Sequence, residues 1–122
     1  MKYCNSLTEF SRFKTRVVRV GDLGIGGNNP IAIQSMTITN TMDTIATAEE
    51  SIRMIDTGCE LVRITTPSKK EAKNLQNIKD ELRKRGYNTP IVADIHFTPN
   101  AAEIAARIVE KVRINPGNDA DK

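Results

Sequence analysis

Aromatic side chains are scarce in this 122-residue chain, at 4%. So little stacking surface argues against binding of single-stranded nucleic acid. No apolar run approaches the ~20 residues that cross a membrane. The stretch from Met1 to Thr15 lacks the apolar core of a secretory signal, so a cytoplasmic protein is expected. There are two cysteines, Cys4 and Cys59, far apart and without metal-ligand spacing. Reduced thiols are the expectation for such a chain. There is one histidine, His96, so no Cys/His cluster offers a metal site. The sequence contains no nucleophile elbow and no Ser–His–Asp order, which gives no ground for covalent catalysis.

What is present is ordinary for a globular domain: 39% hydrophobic and 27% charged residues, with a net charge of +3. The one local basic cluster, Lys79 to Arg85, includes Asp80 and Glu81 and reads as a solvated helix face. Residues Thr15–Val20 and Ile31–Met36 read as strands on either side of the glycine-rich segment GDLGIGGNN, which suggests a hairpin. That segment does not match G-x-G-x-x-G and leads into a strand rather than a helix, so a plain turn is expected there.

Helices and strands then alternate. Asp43 or Thr44 can cap a helix whose apolar face is Ile45, Ala48, Ile52 and Ile55, stopped by Gly58. Leu61–Thr65 reads as a strand. Ser68 and Glu71 have capping-box spacing, ahead of a stripe of Ala72, Leu75, Ile78 and Leu82 that ends at Gly86. Ile91–Ile95 is the next strand. Thr98 and Pro99 open a helix with Ala101, Ala105, Ile104 and Ile108 on its buried side, and Lys111–Asn115 is the last strand. Strands alternating with single helices imply a parallel sheet. The first two strand-to-strand spacings are near thirty residues, and a complete (β/α)8 barrel averages about 31 per unit. The fold class expected is therefore α/β: the N-terminal half of a TIM-type barrel preceded by a hairpin, four parallel strands with three crossover helices. An open doubly wound sheet is the rival. Residues 1–14 read as an N-terminal extension and residues 15–122 as the partial barrel, the last strand being left bare as if the chain were truncated.

The strand ends carry the functional signal. Side chains alternate faces along a strand. Val62 and Ile64 oppose Arg63 and Thr65; Ile91, Ala93 and Ile95 oppose Val92, Asp94 and His96; Val112 and Ile114 oppose Arg113 and Asn115. A parallel sheet covered on both faces should read as near-continuous apolar runs, and a buried charge is costly unless paired. Sites in barrels and open α/β sheets lie at the C-terminal strand ends, where these polar residues fall. Two arginines suit a phosphate or carboxylate through the guanidinium fork. Asn115 and Asn118 can add hydrogen bonds. His96 reads equally well as a proton donor near neutral pH and as a satisfied core histidine. Gln34, Ser35 and Met36 occupy the first strand. The bland reading is that Arg63, Asp94 and Arg113 form an internal ion network.

The blocks GGNNPIAIQSMT, TGCELVRITTP, VADIHF and KVRINPGN, in this order, resemble those of the 4-hydroxy-3-methylbut-2-enyl diphosphate synthase family. The similarity runs from about Phe13 to Asn118. The resemblance implies an enzyme that reductively opens 2-C-methyl-D-erythritol 2,4-cyclodiphosphate in the non-mevalonate isoprenoid pathway, with electrons from ferredoxin or flavodoxin. It implies a barrel holding the substrate diphosphate, a separate domain with a [4Fe–4S] cluster on three cysteines and a glutamate, and a homodimer. Carried over by position, Arg63 and Arg113 become diphosphate contacts, with Asp94, His96 and Asn115 lining the same mouth and Gln34, Ser35 and Met36 shaping the pocket. Cys4 and Cys59 do not match cluster-ligand positions, so this stretch alone is expected to hold no cluster and to be inactive. The alternatives are a non-catalytic phosphate-binding module and a pterin-type (dihydropteroate synthase-like) barrel enzyme.

Overall fold

The computed structural model describes Thr8, residues 14–96 and residues 99–115. The chain begins with an antiparallel hairpin, β1 (Val18–Val20) and β2 (Leu23–Ile25), and continues through β3 (Gln34–Met36), α1 (Thr44–Asp56), β4 (Leu61–Thr66), α2 (Lys69–Lys84), β5 (Ile91–Ile95), α3 (Pro99–Ala106) and β6 (Lys111–Arg113). Strands β3, β4, β5 and β6 form one parallel sheet in sequence order. Four parallel strands with a helix in each crossover make half of an eight-stranded barrel, as expected.

The hairpin departs from the sequence reading. Its second arm lies inside the glycine-rich segment, and Ile31–Met36 contributes only the short parallel strand β3. The reason is packing. In Leu23–Gly24–Ile25 the two apolar residues sit on either side of the glycine and pack, with Ala32, against Val20, Leu61 and Val92. That burial outweighs the low strand tendency of Gly24. Gly21, the first residue of the two-residue loop, takes φ +59, a conformation that glycine enters without steric cost. Ile31 and Ile33 remain 81% and 57% exposed. The hairpin thus covers the foot of β4 and β5 on the inner side of the sheet.

The outer side carries the main core. Val62, Ile64, Ile91, Ala93 and Ile95 pack against Ala72, Leu75, Ile78 and Leu82 of α2, Ala101 and Ala105 of α3, and Ala48 of α1. All four expected stripe residues of α2 are buried. Both α1 and α2 end in a glycine with positive φ, Gly58 and Gly86. At the end of α1, Cys59 N–H donates to Met54 O and Gly58 N–H to Ile55 O; at the end of α2, Tyr87 donates to Leu82 and Gly86 to Arg83. Each is the paired 6→1 and 5→2 closure of a Schellman motif. Leu75 is fully buried at the centre of this layer. Leu75→Ala is expected to cost about 2–5 kcal/mol, read as a lower urea midpoint at unchanged slope.

Four local expectations change. On α1, Ala48, Ile52 and Ile55 pack on the core as expected, but Ile45 is 48% exposed and Thr47 and Ser51 are buried instead. Small hydroxyl residues are tolerated there because Thr47 donates to Asn40 O and Ser51 to Thr47 O. Asp43 is the N-cap, accepting from Ala46 N–H. Ser68 and Glu71 do not form the reciprocal capping box: the Ser68 hydroxyl donates to the Glu71 carboxylate and makes no side-chain cap bond. That hydrogen bond holds the Glu71 carboxyl below its ordinary pKa. Strand β6 stops at Arg113 rather than Asn115. Finally, the Lys79–Arg85 cluster is not uniformly solvated. Lys79 and Arg83 turn inward onto Glu110, at 3.3 and 2.8 Å, with about a quarter of each side chain exposed. The expected Thr98 cap lies outside the described residues.

Candidate anion site at the strand ends

The sheet register sets out the site. Met36 of β3 lies beside Arg63 of β4, Thr65 of β4 beside Asp94 of β5, and Asp94 beside Arg113 of β6. These residues therefore share the inner face, opposite the helices, toward the C-terminal ends of the strands. Ser35 registers with Val62, a residue of the helix-side core, so it lies on the other face from Arg63. Gln34, Ser35 and Met36 are all exposed.

Asp94 is the hub. Its carboxylate is 3% exposed and accepts Arg63 Nη2 on Oδ2 at 2.8 Å and Arg113 Nη1 on Oδ1 at 3.1 Å. His96 Nε2 approaches Oδ2 at 3.3 Å. Burial by itself raises the pKa of Asp94. The Arg63 hydrogen bond and charge, then those of His96, outweigh it and hold the carboxyl below its usual range. The carboxylate is thus ionised at neutral pH and locks the rotamers of two arginines.

The arginines are not consumed by this pairing. Arg63 is 27% exposed and Arg113 42%. The Nε–H of Arg63 is buried and has no acceptor among the described residues. A guanidinium carries five donors, and Asp94 takes one from each arginine, Nη2 of Arg63 and Nη1 of Arg113. The arrangement presents two oriented forks, held by one carboxylate, toward the inner face. Bidentate acceptance by phosphate or carboxylate oxygens matches that geometry.

Of the sequence-named residues, Arg63, Asp94, His96 and Arg113 are brought together. Asn115, half-buried, follows β6 by two residues. Asn118 lies outside the described residues. Sequence reasoning passed over Lys111, whose side chain lines an inner cleft of about 520 Å³ with Gln34, Leu61, Ala32 and the hairpin residue Ile25. The available signal was its place two residues before Arg113, on the same strand face. Also passed over was Thr37, whose buried hydroxyl has no partner among the described residues and which borders a second cleft with Thr41 and Thr65.

Acid should loosen this molecule through Asp94 and Glu110. Glu110 is opposed by burial, but bonds from Ile91 N–H and from its own backbone, then Lys79, bring its pKa below the ordinary value. Groups with depressed folded pKa values contribute stability that is complete above the unfolded values, about 3.9 for Asp and 4.3 for Glu. That contribution is lost as pH falls through the folded values. The expected unfolding free energy is flat from pH 7 to about 5 and falls below about 4. Urea titrations across that range check it, and a rise in stability on acidification contradicts it.

A parallel α/β half-barrel with paired arginines at its strand ends defines a barrel domain whose charged residues gather at the C-terminal mouth, where barrels place their sites. Comparison with known proteins narrows this. The chain belongs to the GcpE TIM-barrel domain family, whose model matches residues 15–122. It is 54% identical over 99% of its length to 4-hydroxy-3-methylbut-2-en-1-yl diphosphate synthase (flavodoxin) of Protochlamydia amoebophila, of which it covers 18%. It is 52% identical over 98% of its length to the protein of that name from Akkermansia muciniphila, covering 20%. It is 55% identical over 94% of its length to the one from Phocaeicola vulgatus, covering 19%. The chain thus spans about a fifth of the length of the curated relatives it matches.

Proposed function

We propose that residues 15–122 are the N-terminal half of the substrate barrel of an enzyme that reductively converts 2-C-methyl-D-erythritol 2,4-cyclodiphosphate to 4-hydroxy-3-methylbut-2-enyl diphosphate. Residues 1–14 are a short extension, and the remaining strands and an iron–sulfur domain belong to sequence outside this chain. The protein works as a cytoplasmic homodimer, with flavodoxin, named for the relatives, or ferredoxin as electron donor. The observation that carries the reading is the pair of partly exposed arginines held on Asp94 at the C-terminal strand ends.

Arg63 and Arg113 take the diphosphate oxygens. Asp94 fixes both guanidiniums before substrate arrives, so little side-chain freedom is lost on binding. His96, hydrogen-bonded to Asp94, stands at the same mouth as a further donor. Met36, beside Arg63 in register, supplies apolar surface for the carbon skeleton, Gln34 and Ser35 shape the neighbouring strand, and Asn115 and Asn118 extend the polar rim. The described residues do not fit a cluster: no group of His, Cys, Asp and Glu among them can hold a metal ion. The Cys59 thiol is buried and turned to Leu61 O at 2.6 Å. This segment therefore binds and orients, and the electrons arrive from elsewhere.

The test is the full-length protein carrying this chain, reconstituted anaerobically with iron and sulfide and supplied with reduced flavodoxin and the cyclodiphosphate. Formation of the linear diphosphate is expected, and its absence from cluster-loaded protein overturns the assignment. The 122-residue chain alone is expected to show no turnover.

A further inference from the structure

At the opposite end of β6 from Asp94, one carboxylate ties three elements together. Glu110 Oε1 takes Arg83 Nη2 at 2.8 Å and stands 3.3 Å from Lys79 Nζ, both on α2. Its Oε2 accepts the backbone N–H of Ile91, the first residue of β5, at 2.9 Å. Lys79 also donates to Ile108 O, and Arg83 to Tyr87 O and Thr89 O, so the two cations pin the segments leading into β6 and β5.

The Ile91 bond has a consequence for register. Strand β6 pairs Lys111 with Val92, Val112 with Ala93 and Arg113 with Asp94. By that register the residue opposite Ile91 is Glu110 itself. Its side chain therefore bonds the N–H of its own cross-strand partner, at the foot of the ladder. Strand β6 has three residues, and its single apolar side chain, Val112, is only partly buried against the core. So short a strand specifies its register weakly, and a one-residue slip turns every side chain to the other face. A slipped β6 carries Arg113 away from Asp94.

We infer that Glu110 is a positioning residue for Arg113: its reach to Ile91 N–H fixes the β6 register that brings Arg113 onto Asp94 at the anion site. The inference rests on the site reading above. It separates reach from charge. Glu110→Gln keeps the reach and an oxygen for Ile91 while losing the charge that faces Lys79 and Arg83. Glu110→Asp keeps the charge and is one methylene too short.

The experiment titrates inorganic pyrophosphate into the full-length cluster-loaded protein by calorimetry, with melting curves on the same samples. Arg113→Ala is expected to bind at least about tenfold more weakly. Glu110→Asp should lose about as much. Glu110→Gln should stay within about threefold of wild type although it melts lower, since the lost charge affects stability rather than register. The double variant Glu110→Asp/Arg113→Ala should be no weaker than Arg113→Ala alone, because the first change acts only through the second residue. Wild-type affinity in Glu110→Asp, an equal loss in Glu110→Gln, or losses that multiply in the double variant would each overturn the inference. Unchanged affinity in Arg113→Ala removes the site itself, and this role with it; a loss there with Glu110→Asp unaffected removes the Glu110 role alone.

Discussion

Replacing either Arg63 or Arg113 by alanine in the full-length protein should weaken binding of the cyclodiphosphate by roughly ten- to a hundred-fold. A hydrogen bond to a charged group contributes about 1.5–3 kcal/mol, and about 1.4 kcal/mol is a factor of ten. Lysine should restore only part of the loss, because it keeps the charge and loses the fork. An internal ion network predicts otherwise: both alanine variants would melt lower, and the protein that stays folded would bind as wild type does. Calorimetric titration beside melting curves separates these outcomes. Arg63 should be the more sensitive position, since it is the less exposed of the two, at 27% against 42%, and its charge is less screened by water.

Removing the hub should cost stability as well as affinity. Asp94→Ala leaves Arg63, Arg113 and His96 facing one another without the carboxylate that all three approach. Breaking a buried ion pair from one side costs about 3–5 kcal/mol. The two arginines are partly exposed, so water recovers some of that, and a loss of about 2–4 kcal/mol is expected. For a domain of this size that is a fall in Tm of roughly 10 °C. Asp94→Asn keeps the shape and one acceptor and should fall between. Diphosphate should partly rescue the melting temperature of Asp94→Ala, because the ligand supplies the missing negative charge and binds only the folded state. A Tm within 2–3 °C of wild type in Asp94→Ala would mean that the arginines are held by something other than Asp94.

Much of this was legible in the sequence because it depends on periods. The stripe of α2 and the alternation of β4 and β5 are set by spacing alone, and the glycine stops at Gly58 and Gly86 follow from a single conformational demand. The clustering of Arg63, Asp94 and Arg113 was legible for the same reason: three strands place a charge on the same face, Asp94 level with Arg113 and Arg63 two residues nearer the foot of the sheet. What spacing could not show was tertiary. The strand Leu23–Ile25 exists because Leu61 and Val92 need a cover, and nothing within GDLGIGGNN announces that. On α1, Thr47 and Ser51 are buried where Ile45 is not, and their hydroxyls are satisfied by Asn40 O and Thr47 O, partners that apolar periodicity does not register. The inward turn of Lys79 and Arg83 depends on Glu110, which lies 27 residues beyond Arg83 along the chain, so a local count of charges reads them as solvated.

The most direct measurement is a crystal structure of the full-length protein with the cyclodiphosphate bound. The diphosphate oxygens should lie within hydrogen-bond distance of both the Arg63 and Arg113 guanidiniums, with Asp94 still holding each from behind. A diphosphate bound elsewhere, with both arginines paired only to Asp94, would contradict the account.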